Sequence, residues 1–417
     1  MGLRRRQEHD GAVVKALLLE NIHHLGSELL QGSGFDVSTR PGALDEDELI
    51  EALRGVQVLG LRSKTNLTQR VLENAPDLLA VGAFCIGTNQ IDLRAAAEAG
   101  VAAFNAPFSN TRSVVELALA EIIALTRRLT EKDKSLHAGI WDKSASGAHE
   151  VRGRTLGIVG YGNIGTQLSV VAEALGMRVI FYDTAEKLAL GNARRMPSLD
   201  ALLDEADVVT LHVDGRAGNA GMFGAGQFGR MKAGAIFLNL SRGFLVDYAA
   251  LRREVLEGRI AGAAVDVFPH EPKSQGDAFD SELRDLPNVI LTPHVGGSTE
   301  EAQQDIGTFV AGKLRDYLEN GATALSVNLP ALILDRPDQE TLRIAHLHHN
   351  VPGVLAAVNQ TLSSAGVNIE RQTLSTSGST GYVVTDVGSD LPADTIARLE
   401  AMEATIRVRA LRPGAED

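Results

Sequence analysis

The chain has a single cysteine, Cys85, so no internal disulfide framework is available to it and a reducing compartment, the cytoplasm, is the expectation. Cys85 sits in the apolar run 81–86, as a buried structural thiol would. No apolar stretch approaches the ~20 residues that a membrane span needs. No such stretch follows Arg4, Arg5 and Arg6 either, so a secretory leader is not expected and residues 1–11 read as a frayed tail. Positive charge is also in short supply, with 40 Lys and Arg against 53 Asp and Glu and a net charge of −13. Nucleic acid and anionic membrane are therefore not expected partners, and any anionic ligand must be held by local cations.

What is present is an ordinary globular composition, 44% hydrophobic and 22% charged over 417 residues, enough chain for two or three domains. The most informative stretch runs from Leu156 to Asp183. An apolar strand at 155–159 enters Gly160-Tyr161-Gly162-Asn163-Ile164-Gly165, a helical stretch follows to Leu175, and a second strand at 177–182 ends on Asp183. Gly160 permits the turn, Gly162 lets main-chain N–H groups approach a pyrophosphate, and Gly165 lets the helix pack on its strand. Asp183 lies 183 − 160 = 23 residues after the first glycine, near the ~20 expected of an acid that binds ribose hydroxyls. A carboxylate there, with no arginine in the next ten residues, favours NAD over NADP. A plain strand-end turn is the alternative for Asp183.

The remaining pattern alternates strand and helix, which implies parallel sheets covered by helices. Strands are expected at 14–19 and 56–61, helices near 27–33 and at 44–53, and helix–strand pairs at 67–83 and 92–104. A long helix at 111–129, opened by a Ser113-x-x-Glu116 capping box, is expected to cross between two domains. Strands at 208–212, 235–240, 261–268 and 289–292 complete a doubly wound sheet. A helix at 299–320 then returns to the first domain. After a linker at 330–337 the order becomes βαββαβ, with strands at 341–348, 367–376, 381–387 and 405–411 and helices at 352–365 and 392–404. The expected fold class is α/β: a substrate domain from 1–110 and 299–330, a dinucleotide domain at 111–298, and a small regulatory domain at 338–417.

Arg242, Glu271 and His294 each follow a predicted strand end of the second sheet, where doubly wound folds place ligands. Arg242 can grip a carboxylate with its planar fork. His294 can take the hydroxyl proton, and Glu271 can orient its imidazole and favour the charged form.

Taken with Gly60-Leu-Arg-Ser-Lys, Ile86-Gly-Thr-Asn-Gln, Phe104-Asn-Ala-Pro-Phe-Ser-Asn-Thr-Arg-Ser, Ser241-Arg-Gly, Asp266-Val-Phe and Thr292-Pro-His-Val-Gly-Gly-Ser-Thr, these residues identify a resemblance. The chain resembles the D-isomer-specific 2-hydroxy acid dehydrogenases, in the branch with one C-terminal ACT domain. The resemblance implies NAD-dependent oxidation of 3-phosphoglycerate to 3-phosphohydroxypyruvate, the entry to serine synthesis, by a homo-oligomer (dimer or tetramer). It makes Arg242, Glu271 and His294 the catalytic set. His212, Asp266, Gly296 and Gly297 join the glycine turn and Asp183 around the cofactor, with Asp266 on the nicotinamide carboxamide. Arg62, Ser63, Lys64 and Asn110 would meet the substrate's phosphate across a cleft, and Lys143, beside Trp141, would reach a neighbouring subunit. A structural turn for Asp266, solvated loop charges for Arg62 and Lys64, a helix cap for Asn110 and an exposed loop for Lys143 are the alternatives.

In the ACT segment His348, Asn350 and Asn368 match positions that bind serine as a regulator, against simple cap and turn roles. A metal site from His346, His348 and His349 is not expected, since no carboxylate accompanies them. One departure from the family pattern is Asp214, where proline is usual, at the head of a stretch with six glycines between Gly215 and Gly229. Added backbone freedom there would make the loop bordering the cofactor more mobile. Two rival functions remain: a dehydrogenase of another small 2-hydroxy acid, such as 2-hydroxyglutarate or glycolate, and a dinucleotide-sensing scaffold like the corepressors that share this fold. The ACT segment speaks against the scaffold.

Overall fold

The computed structural model describes residues 13–272, 276–338, 340–388 and 391–412, so the tail at 1–11 lies outside the described residues. Two compact units make up the chain, one from residues up to Ser109 together with those from Gln303, the other Asn110–Ala302.

The first unit opens with five parallel strands, β1 (Lys15–Leu18), β2 (Asp36–Thr39), β3 (Val58–Leu61), β4 (Ala80–Ala83) and β5 (Ala102–Asn105), in the order β2-β1-β3-β4-β5. Every residue of β3, β4 and β5 is buried, as strands covered on both faces must be. β2 escapes the sequence pattern because it is a polar edge strand, Asp-Val-Ser-Thr, with no residue fully buried. The helix Glu46–Ala52 starts on a capping box in which Asp45 and Glu48 satisfy each other's main-chain N–H.

The second unit holds seven parallel strands: β6 (Thr155–Val159), β7 (Arg178–Tyr182), β8 (Arg194–Arg195), β9 (Val208–Leu211), β10 (Ala235–Asn239), β11 (Ile260–Val265) and β12 (Val289–Leu291). Their order, β12-β11-β10-β9-β6-β7-β8, starts at the centre with β6, runs out to β8, then returns to β9 and runs the other way. The switch point therefore lies between β6 and β9, where such sheets bind ligands.

The helix expected at 111–129 is two helices, Thr111–Thr126 and Leu129–His137, broken by Arg128 in a left-handed conformation (φ 53°). The first lies entirely inside the second unit. Its expected capping box does not form. Ser113 Oγ instead donates to the Gly296 carbonyl at 2.6 Å, and Glu116 pairs with Arg112 at 2.6 Å. The glycine-rich stretch after Asp214 contains a short helix, Ala225–Arg230, entered through Gly224, whose N–H is capped by Gln227 Oε1.

The remaining strands, β13 (Thr341–His349), β14 (Ile369–Ser377), β15 (Thr380–Gly388) and β16 (Thr405–Leu411), form an antiparallel sheet in the order β14-β15-β13-β16. One face packs on the helices Val354–Ser364 and Ala393–Glu400 through Leu342, Ile344, Val358, Leu362 and Leu399. The other shares a core with the first unit's parallel sheet through Ala345, Leu347, Tyr382 and Val384 beside Leu314, Tyr317 and Leu318. Polar contacts reinforce that junction. Tyr382 donates to the Gly321 carbonyl at 2.8 Å, and Arg409 lies 4.7 Å over the Tyr317 ring while donating to the Leu318 carbonyl at 2.7 Å.

Candidate active site

At the switch point the glycine turn has the geometry a dinucleotide requires. Gly160 has φ +94°, and a Cβ there would lie 2.6 Å from the His212 carbonyl oxygen, so only glycine passes between β6 and β9. A Cβ on Gly165 would run into the Gly160 carbonyl, whereas one on Gly162 would meet nothing within 4 Å. Gly162 is also the N-cap of the helix Asn163–Ala174 and offers no side-chain cap, leaving the first-turn N–H groups of Asn163, Ile164 and Gly165 without that partner. Open space at uncapped N–H groups on a 12-residue helix fits a pyrophosphate. Asp183 sits beside it, its Oδ2 accepting from the Tyr161 N–H at 2.8 Å. The Tyr161 ring is core, stacked on Phe181 at 3.7 Å, so only its main chain faces a ligand. His212 donates or accepts at Thr210 Oγ1, 3.0 Å away, and burial pushes its imidazole down to about 4, which keeps it neutral.

Three neighbouring strands of the same sheet carry the expected site residues just beyond their carboxyl ends. β10 ends just before Arg242, β11 before Asp266 and Glu271, and β12 before His294. His294 Nδ1 lies 2.8 Å from Glu271 Oε2, and Glu271 Oε1 also accepts from the Phe268 N–H at 3.1 Å. A carboxylate only accepts, so Nδ1 carries the hydrogen and, in the neutral ring, Nε2 is the nitrogen able to accept. The hydrogen bond to Glu271 holds the His294 pKa above 6.5, against burial. For Glu271 burial pulls upward, but the hydrogen bonds from His294 and Phe268 and the charges of His294 and Arg242 outweigh it and lower its pKa. Arg242 is half-buried, with Nη1 on the Ser241 carbonyl at 2.7 Å.

His294 has φ +55°, a conformation L-residues rarely hold. Asp266 maintains it. This carboxylate is 1% exposed and accepts from Thr292 Oγ1 at 2.7 Å, the Val295 N–H at 2.8 Å and the Gly296 N–H at 2.9 Å, clamping the loop on both sides of His294. From the sequence Asp266 is expected at the cofactor or, alternatively, in a structural turn; its bond to Thr292 is not legible there, because a loop clamp spanning 26 residues leaves no local pattern. Gly297 and Asn110 meet in the same region, since a Cβ on Gly297 would strike the Asn110 amide. Asn110 makes no capping bond to its helix.

Arg62, Ser63 and Lys64 belong to the first unit, in the loop after β3; Arg62 is half-buried, and Ser63 and Lys64 are exposed. Lys143 and Trp141, the latter 80% exposed, follow the helix Leu129–His137, which buries no residue of its own. In the antiparallel sheet His348 is buried with Nδ1 on the His349 carbonyl, Asn350 is exposed and donates to the Gly378 carbonyl at 3.1 Å, and Asn368 is exposed before β14. No hydrogen bond among the described residues joins Asn368 to either. The His346 ring donates or accepts at Thr405 Oγ1, and no group of three metal-binding side chains occurs among the described residues. None of the described helices is long and apolar enough to cross a membrane.

Residues 119–296 match the family model described as "D-isomer specific 2-hydroxyacid dehydrogenase, NAD binding domain", and residues 344–407 match "AHAS small subunit-like ACT domain". The D-3-phosphoglycerate dehydrogenase of Haemophilus influenzae is 48% identical over 96% of this chain and 98% of its own length. The chain belongs to the D-isomer-specific 2-hydroxyacid dehydrogenases. The same enzyme from Escherichia coli is 47% identical over 95% of this chain and 97% of its own. Among solved structures D-2-hydroxyisocaproate dehydrogenase superimposes with a TM-score of 0.69 at 25% identity, covering 76% of this chain and 100% of that one. D-Lactate dehydrogenase from Aquifex aeolicus, complexed with NAD and lactic acid, gives 0.64 at 26% identity, covering 72% of this chain and 95% of that one. As a family member this chain is an NAD-dependent dehydrogenase with a C-terminal ACT domain.

Proposed function

We propose that this chain oxidises 3-phosphoglycerate to 3-phosphohydroxypyruvate, the first step of serine synthesis. The observation that carries the reading is the His294–Glu271 pair at the ends of β12 and β11, with Arg242 at the end of the adjacent β10. The near full-length similarity to phosphoglycerate dehydrogenases supports the choice of substrate.

NAD, when bound, supplies the acceptor for the hydride that leaves the substrate carbinol carbon. Arg242 holds the substrate carboxylate in a bidentate grip and draws charge toward the developing carbonyl. His294 Nε2 takes the hydroxyl proton, and the Glu271 carboxylate stabilises the imidazolium that results. Asp183 accepts from the adenosine ribose, which favours NAD over its 2′-phosphorylated analogue. Arg62 and Lys64, with Ser63 and Asn110, hold the phosphate.

Serine feedback through His348, Asn350 and Asn368, a homo-oligomer, a role for Lys143 in a neighbouring subunit and a cytoplasmic location complete the proposal. Support for assembly comes from β14, a half- to fully exposed edge strand. Rates of NAD reduction across 3-phosphoglycerate, 2-hydroxyglutarate, glycolate and lactate test the substrate. The proposal expects the highest kcat/KM on 3-phosphoglycerate; equal or better use of an unphosphorylated acid would replace it.

A further inference from the structure

Glu20 follows β1, and both Glu20 and Asn21 hold left-handed conformations, φ +62° and +52°. Two successive non-glycine residues of this kind persist only where their surroundings fix them. What fixes Glu20 is the loop after β3. Its carboxylate, in a residue 8% exposed, accepts the Ser63 N–H at 3.0 Å, the Lys64 N–H at 3.1 Å and the Thr65 N–H at 2.8 Å.

Three consecutive main-chain N–H groups around one anion form a nest of the type that elsewhere receives phosphate. Here the protein's own carboxylate fills it. The loop is pinned from its other side as well. Gln90 Nε2 donates to the Arg62 carbonyl and, at 3.2 Å, to the Gly87 carbonyl, while Thr65 Oγ1 accepts from the Leu44 N–H at 3.3 Å. With the N–H groups of Ser63, Lys64 and Thr65 and the Arg62 carbonyl engaged, it is the side chains of this loop that can turn to a ligand.

We infer that Glu20 is a positioning residue for the phosphate end of the substrate: by occupying the 63–65 amide nest it fixes the loop that presents Arg62 and Lys64, so that this loop meets the phosphate through its side chains, those two cations foremost. The inference rests on the proposed substrate. Neutralising the carboxylate as Glu20→Gln leaves one accepting oxygen and sets an amide NH2 against the remaining N–H, so at least one of the three donors loses its acceptor while the volume is kept. Glu20→Asp keeps the charge but is one methylene too short to serve all three donors.

The test is steady-state kinetics of full-length wild type, Glu20→Gln and Glu20→Asp on 3-phosphoglycerate and on an unphosphorylated 2-hydroxy acid, with NADH titration and thermal melting of each. The expected result is a KM for 3-phosphoglycerate raised at least ~10-fold in Glu20→Gln and less in Glu20→Asp, with kcat and the KM of the unphosphorylated acid within ~3-fold of wild type. Inhibition by inorganic phosphate should weaken in parallel. NADH binding should be unchanged. If Glu20→Gln does not fold, the same selective KM shift in Glu20→Asp decides. An unchanged KM in folded variants, or equal losses on both substrates, overturns the inference while leaving the proposed function intact; a wild type indifferent to the phosphate removes both.

Discussion

His294 Nδ1 stands 2.8 Å from Glu271 Oε2, and that hydrogen bond lifts the imidazole pKa above 6.5. The sign of the pH dependence follows. Oxidation needs neutral His294, so kcat/KM in that direction should fall as pH drops through the raised value. Reduction needs the imidazolium and should fall as pH rises through it. In Glu271→Gln both limbs should move to lower pH, with a loss of ~10- to 100-fold in rate. Limbs that stay in place would detach Glu271 from the titration.

The proposed role of Arg62 concerns selectivity rather than turnover in general. Replacing it with alanine removes a charge-assisted contact that only a phosphorylated substrate makes. The loss in kcat/KM should be at least ~30-fold greater for 3-phosphoglycerate than for an unphosphorylated 2-hydroxy acid. Parallel losses would remove Arg62 as a phosphate ligand.

Glu121, on the helix Thr111–Thr126, is 3% exposed, and neither carboxyl oxygen has a hydrogen-bond partner among the described residues. Burial first, and then the nearby Asp266 charge, push its pKa from 4.5 to about 8. Below pH 4.5 the group is protonated in folded and unfolded chains alike. Between 4.5 and 8 the unfolded chain ionises while the folded one keeps its proton, so stability declines with rising pH. Denaturant unfolding of Glu121→Gln should show a stability advantage over wild type that grows between pH 5 and pH 8. A pH-independent difference between the two would contradict this.

Asn350 tests regulation. Serine should lower activity of the wild-type chain, and Asn350→Ala should abolish the inhibition without lowering activity in its absence. The coupling needed is of the usual size, ~1–3 kcal/mol between sites. Its physical route would be the core that the antiparallel sheet shares with the parallel one through Tyr382, Tyr317 and Leu314. Serine titration of both proteins, with calorimetry of wild type, decides it: no heat and no inhibition would leave this domain without that ligand.

The fold was legible wherever hydrophobic period and glycine chemistry agreed. β6, the turn at Gly160, Gly162 and Gly165, and the βαββαβ order of the last segment all follow from local pattern. β2 was not legible, because an exposed edge strand such as Asp36–Thr39 has no buried face to impose alternation. The break at Arg128 was hidden too, since an arginine in a left-handed conformation leaves no mark of the kind glycine leaves. The places of Arg242, Glu271 and His294, each after a strand of one sheet, could also be read from the sequence. The clamps could not: Asp266 reaches Thr292 and Gly296, and Glu20 reaches residues 63–65, across separations of 26 to 45 residues. A carboxylate buried among main-chain N–H groups looks in sequence like any acid at a strand end.

Proton transfer through His294 is the step on which the proposed oxidation of 3-phosphoglycerate depends. Its most direct test is NAD reduction by His294→Ala on that substrate, run beside a fluorescence titration with NADH. The expected result is a fall in kcat of at least ~100-fold with NADH affinity nearly unchanged, because only proton transfer is lost. Retained turnover, or turnover lost together with NADH binding, would contradict it.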